Sequence, residues 1–267
     1  MDDPDAFELE ESEGIGIFEP GTRFERDIDK GNMMSVLGLT ALGMVLMVIA
    51  TVIIMIPLLA IPNLIFIDIN TLEIYIDPNA LLILTVAEIV FVIPPIYYVR
   101  KNGLPISSVG IKNMLSGIDI GLGFVIGALM VGSNIAVSWL VTNFTGPVSS
   151  GEQLLIARNP TELVAWIVVM FVFVGFTEEV LFRGFLQRRM EMYFKSQRNS
   201  NYRIMSLVIT SFIFGIIHMD LIGLPVRFIL GMFLGDLAQR RNYNIVGPSV
   251  AHGFNNAIVV VLASLGF

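Results

Sequence analysis

Cysteine is absent from the sequence, which excludes a disulfide framework, a thiolate metal site and a cysteine nucleophile. Histidine is nearly absent: His218 and His252 are the only two. There is no H-E-x-x-H, so the metalloprotease arrangement with two histidine ligands on one face of one helix is missing. No basic patch of the kind that binds nucleic acid is present. Charge of either sign is scarce beyond the first thirty residues. Those thirty hold eleven acids against three bases, while the whole chain carries a net charge of only −7.

What fills the sequence instead is apolar. Hydrophobic residues make up 55% of the 267 and the mean hydropathy is +0.77, too apolar for an ordinary soluble domain. Runs of about 18 apolar residues recur, the length a helix needs to cross a bilayer. The expected architecture is an all-α, polytopic transmembrane bundle of about seven spans. They are placed at 33–59, 79–98, 118–143, 162–186, 204–218, 221–239 and 245–265, and an eighth, re-entrant segment is admitted near 104–120 or 144–160. Residues 1–32, acidic and without periodicity, read as a disordered tail without the basic start of a cleaved signal peptide. Residues 33–267 form the bundle. Pro57 and Pro62 mark the exit of the first span, and Pro94-Pro95 break or kink the end of the second. Glycines at 121, 123, 127 and 132, and the Gly231/Gly235 pair, provide close-packing faces.

Lysine and arginine are distributed unevenly. Thirteen of the sixteen fall in the tail or after spans two, four and six; Arg183 and Arg227 lie within spans, and only Arg158 belongs to the opposite loops. The positive-inside rule then places the N-terminus in the cytoplasm of a multi-pass protein, with the cell membrane as the expected location.

Against this background the stretch 175–189, G-F-T-E-E-V-L-F-R-G-F-L-Q-R-R, stands out. Charges at the centre of an apolar span cost about 2.5–3.5 kcal/mol each on insertion scales, so three of them imply pairing or a wet cavity. Glu179 and Arg183 are four apart and share a helical face, so they can pair. Glu178 points about 100° away. Glu179 is thus held ionised, while Glu178, less compensated, suits a general base or acid. Glu88, inside the second span, reads as a partner for a neighbouring helix. His252 and Asn256 share a face of the last span. Two histidines, two glutamates and an asparagine are the complement a hydrolase needs when it has no nucleophilic side chain. Asp220 reads as a helix-end residue.

The order T-E-E-V-L-F-R-G, F-G-I-I-H, A-H-G-F-N resembles the CAAX protease and bacteriocin-processing (CPBP, or Abi) family of intramembrane proteases. That family's E-E-x-x-x-R, F-x-x-x-H and H-x-x-x-N are matched by Glu178, Glu179 and Arg183, by Phe214 and His218, and by His252 and Asn256, over residues 161–260. The resemblance implies a type II CAAX prenyl endopeptidase-like activity near the cytoplasmic membrane face, on a membrane-associated and lipidated substrate, with no nucleic acid involved. It implies that Glu178 and His218 activate water and that His252 with Asn256 stabilise the oxyanion. Glu179, Arg183 and Phe214 support the site.

No cofactor is expected. The alternative is a zinc ion held by Glu178, His218 and His252 with one open position. Two other function classes fit the composition. One is a non-proteolytic scaffold or chaperone of the same fold. The other is a transporter using Glu178 and Glu88 as proton relays, against which there is no inverted repeat.

Overall fold

The computed structural model describes residues 33–67, 74–111, 116–146 and 155–266; the acidic tail lies outside them. Seven helices follow in order: α1 (Met33–Leu59), α2 (Pro78–Lys101), α3 (Gly117–Thr145), α4 (Pro160–Ser196), α5 (Tyr202–Ile216), α6 (Leu224–Arg240) and α7 (Val246–Ser264). This is the expected all-helical membrane bundle.

Five of the seven, α1, α2, α3, α4 and α7, are long and apolar enough to cross a membrane. α5 has 15 residues and α6 has 17, which at about 1.5 Å per residue reach about 22 and 25 Å against a hydrocarbon core of about 30 Å. They pack as an antiparallel pair joined by a turn at 217–223. Among the described residues of 104–120 and 144–160, neither stretch contains a further membrane-length helix.

Between α1 and α2 the chain forms a small hairpin that the sequence reading treats as loop. β1 (Ile65–Ile67) pairs antiparallel with β2 (Ile74–Ile76), and Phe66 stacks on Tyr75 with ring centroids 4.6 Å apart. At the same end Arg158 meets Asp77 through two nitrogens at 2.8 and 2.9 Å and reaches Glu162 at 3.4 Å, tying the starts of α2 and α4 together.

Pro94 and Pro95 do not end α2. Neither supplies a backbone donor, and each ring crowds the carbonyl four residues earlier. The preceding turn tightens to 3₁₀ geometry over Val86–Val92, and the α-helix resumes at Ile93. α4 departs from α geometry in the opposite sense: Met170–Phe176 and Val180–Gln187 are π-helical, flanking a single α turn, Thr177–Glu179.

Helices meet closely where glycine removes the side chain. A Cβ on Gly175 of α4 would lie 2.8 Å from the backbone of Gly253 and of Ser249 on α7; one on Gly253 would lie 2.7 Å from the Phe171 ring. Gly231 and Gly235 of α6 abut Ser211 and Leu207 of α5, as their spacing leads one to expect. On α3 only half of the expected seam is used: Gly123 and Gly127 press on α7, while Gly121 and Gly132 have open space. Gly253→Ala should therefore lower stability by about 1–3 kcal/mol, the usual cost of overpacking. Gly121→Ala should be neutral or slightly stabilising, since alanine is the better helix former. Thermal melts in detergent compare the two, and equal melting temperatures would contradict the α4–α7 packing.

Candidate active site

The carboxylates of 175–189 sit at the middle of α4, on its one α turn between two π-helical segments. π-helical turns recur at functional sites, and residues Thr177 through Met192 are all buried. The expected pair is present: Arg183 Nη1 donates to Glu179 Oε1 at 3.0 Å, with both side chains out of solvent. The same oxygen receives a second bond that spacing does not reveal, from Nδ1 of His252 on α7, also at 3.0 Å. An ionised carboxylate only accepts, so His252 carries a proton on Nδ1 and turns Nε2 toward Glu178 Oε2, 3.9 Å away.

Glu178 is buried, and its Oε2 has no hydrogen-bond partner in the protein. It lines a cavity of about 710 Å³ together with His218, His252 and Asn256, so the structure brings all four expected catalytic residues to one cavity. His218 is exposed in the cavity wall. Its Nδ1 donates to the Phe214 carbonyl at 2.8 Å, which leaves Nε2 of the neutral ring as an acceptor. Asn256 Oδ1 accepts from Asn255 Nδ2 at 3.0 Å, so its own amide Nδ2 is the group left to donate.

Phe214 does more than its place in a motif suggests. Its ring stands edge-on to those of His218, His252 and Phe182, at centroid distances of 5.3, 5.7 and 5.3 Å. The Arg183 guanidinium lies 4.3 Å from its centroid. One ring thus separates the histidines, fixes their planes and faces the arginine cation.

Glu88 is the residue whose importance sequence reasoning underrated. It does meet a neighbouring helix, but the group it meets is Glu178, in the wall of the same cavity. The tightened turn over Val86–Val92 carries it there, and only the Pro-Pro that follows hints at that distortion. Asp220 serves the turn, as expected: Oδ1 accepts from the backbone of Ile222 and Gly223, and Oδ2 from Arg227 at 2.7 Å. The Arg227 guanidinium at its side holds the Asp220 carboxyl below the usual carboxylate range.

The alternative ligand set Glu178, His218 and His252 does not form a cluster able to hold a metal ion; among the described residues no group of three or more such side chains does. The cavity extends from Glu178 toward the end of the bundle at which α4 begins, past Met170 and Val174 on α4 and Ser138 and Thr142 on α3. The helix simply continues to Ser196, so the bases that follow Arg183 belong to a closed half of the molecule rather than to the cavity mouth.

Comparison with known proteins agrees with this part of the chain. Residues 160–258 match the family model described as type II CAAX prenyl endopeptidase Rce1-like, a family of membrane proteases. The match covers α4, α5, α6 and most of α7, and so includes every residue of the three motifs. No curated protein and no solved structure matches the chain.

The two glutamates should respond differently to loss of charge. Glu179→Gln leaves Arg183 without its counter-ion, a change that costs about 3–5 kcal/mol for a buried pair, and weakens the hold on His252. Glu178→Gln removes a carboxylate with no buried cation bonded to it and should leave the melting temperature nearly unchanged. If Glu178→Gln is the more destabilising, the division of roles is reversed.

Proposed function

We propose that the protein is an intramembrane endopeptidase in which Glu178 activates water for attack on a peptide carbonyl. The observation that carries this reading is the asymmetry of the glutamate pair. Oε1 of Glu179 is bonded to Arg183 and His252, and Glu179 does not line the cavity, whereas Glu178 lines it beside two histidines with no cation bonded to it; the Oε2 atoms of both lack a partner. The family match over the same helices supports the reaction class.

In the proposed reaction a water hydrogen-bonded to Glu178 and to His218 Nε2 attacks the scissile carbonyl carbon. Glu178 takes the water's proton as the carbon–oxygen bond forms. The developing oxyanion is met by the Asn256 amide. It is met also by His252 Nε2–H when that ring carries both protons, with the ring held by Glu179 on its far side. Collapse breaks the carbon–nitrogen bond, and Glu178 returns the proton to the leaving amine. Glu88 stands next to Glu178 in the same cavity wall. The substrate is a membrane-held peptide. A prenylated CAAX terminus, after which the matched family is named, is the first kind to test.

No metal enters this scheme. Cleavage of a reporter peptide by purified protein should persist after dialysis against EDTA and phenanthroline. It should fall by at least about 100-fold in Glu178→Gln, the lower range for loss of a general base, with the melting temperature retained. Activity lost to chelation and restored by stoichiometric zinc would instead make Glu178, His218 and His252 metal ligands. Full activity in Glu178→Gln would favour the scaffold reading, in which the polar cluster only packs helices.

A further inference from the structure

Among the described residues the cavity wall holds three acids, Glu88, Glu178 and Asp220, but no lysine and a single arginine, Arg227. Arg227 stands in the first turn of α6, the end of a helix at which the backbone dipole disfavours positive charge. Helix stability therefore does not account for it.

Register fixes its depth. α4 and α6 are bonded side by side through Arg183 and Gly231, Gln187 and Gly235, and Glu191 and Gln239, each pair 48 residues apart. One turn earlier the same register sets Arg227 beside Glu179, at the level of the acidic pair. Helical side chains lean toward the N-terminus of their helix, so the guanidinium lies just beyond that level, at the 217–223 turn. There Nη1 donates to Asp220 Oδ2 at 2.7 Å. Gly223 leaves room for it: a Cβ at that position would stand 2.1 Å from Nη1 and 3.0 Å from Cζ.

Asp220 engages only one corner of the guanidinium. Nε and Nη2, an edge that can grip a carboxylate with two parallel bonds, have no partner among the described residues. Asp220 does not depend on the arginine alone, because it also accepts from the backbone of Ile222 and Gly223. A second group in the same wall is left open. Asn255 is 1% exposed and its Oδ1 has no partner in the protein. A buried acceptor in that state is costly unless a donor meets it, and a peptide N–H is such a donor.

We propose that Arg227 is a carboxylate subsite that receives the free C-terminal carboxylate of the peptide being cleaved. The proposal rests on the peptidase reading for the ligand being a peptide. A cavity of about 710 Å³ has the size of a small-molecule pocket, so it takes a short segment rather than a folded partner. An anionic chain end has one arginine in that wall to pair with and carboxyl groups elsewhere. The guanidinium lies no further from the level of Glu178 than its own side chain reaches, a distance that a few extended residues at about 3.3 Å each cover. Arg227 thus sets the direction of the bound chain and puts the scissile bond a few residues from its C-terminus.

The test is binding in detergent to protein carrying Glu178→Gln, which does not turn the peptide over, read by fluorescence anisotropy. The probe is a fluorescein-labelled farnesylated peptide with a free C-terminal carboxylate. It is compared with its C-terminal amide and with an amide whose last residue is aspartate. The free acid should bind at least about 10-fold more tightly than either amide, as for a hydrogen bond to a charged group. Adding Arg227→Gln should abolish that preference. Asp220→Asn breaks the same ion pair but keeps the guanidinium, so the preference should survive it. Equal affinity for acid and amide, a preference that outlasts Arg227→Gln, or no binding of any peptide would overturn the subsite. So would equal loss in Asp220→Asn, which would make the pair a clamp for the turn. An aspartate-ended amide that matches the free acid would defeat the assignment to a chain terminus. A ratio of two affinities is independent of the folded fraction, so a partly misfolded variant does not imitate the result. Cleavage by protein that retains Glu178 separates the two readings. Acid preference without cleavage defeats the peptidase reading alone, and cleavage without acid preference defeats the subsite alone.

Discussion

A single carboxylate oxygen organises the bundle. Glu179 Oε1 accepts from Arg183 on its own helix and from His252 on α7, both at 3.0 Å and both away from solvent. An arginine in a low-dielectric interior is tolerable only when its charge is answered, and this one is answered three ways: by Glu179, by the face of Phe214, and by a long contact from Nη2 to the Gly231 carbonyl at 3.5 Å. Those partners sit on α4, α5 and α6, and His252 adds α7. Four helices are thus held in register by the requirement that one buried cation and one buried anion remain paired.

That pairing is feasible only because the helices come very close. A Cβ at Gly175 or Gly253 would push α4 and α7 apart just above the His252–Glu179 bond, and one at Gly231 would press on Ser211 and lift α6 off α5. Where lipid offers no hydrophobic drive for helix association, such small-residue contacts and interhelical hydrogen bonds are what association depends on. The glycines and the ionisable cluster are therefore two parts of one device: close approach shortens the ion-pair distances, and the ion pairs hold the approach. The distortions in α2 and α4 serve the same place. Tight turns before Pro94 carry Glu88 inward, and wide turns on either side of Thr177–Glu179 flank the acidic pair.

Much of this was legible in sequence, and the reasons are physical. Hydropathy located all seven helices, because apolar length is a local property. The i, i+4 spacing predicted the Glu179–Arg183 bond, and the cost of charge in an apolar span singled out the acidic pair. His218, His252 and Asn256 stood out by rarity and by the family resemblance. What escaped depends on neighbours distant in sequence. The His252–Glu179 bond joins residues 73 apart in the chain. Glu88 meets Glu178 only after a proline-induced tightening whose rotation no periodicity encodes. The hairpin at 65–76 is too short to register as alternation. Arg188 and Arg189, counted among the bases after the fourth span, are helical and buried, because α4 runs ten residues beyond the end that hydropathy gives it.

The glutamate pair shows how adjacent residues of the same type acquire different chemistry. Glu178 and Glu179 share a helix and lie at nearly the same depth, so depth alone cannot separate them. Partners do. Glu179 is bonded to a cation on its own helix and to an imidazole on another, so it is fixed in place. Glu178 faces a second carboxyl, Glu88, and an imidazole nitrogen at 3.9 Å, beyond hydrogen-bond range, and one of its oxygens has no protein partner. Replacing Glu178 disturbs no bond to a buried cation, whereas replacing Glu179 releases Arg183 and His252 together. Under the proposed mechanism, fixing one carboxylate with bonds and leaving its neighbour at the cavity wall separates holding the bundle from moving protons, on one turn of one helix.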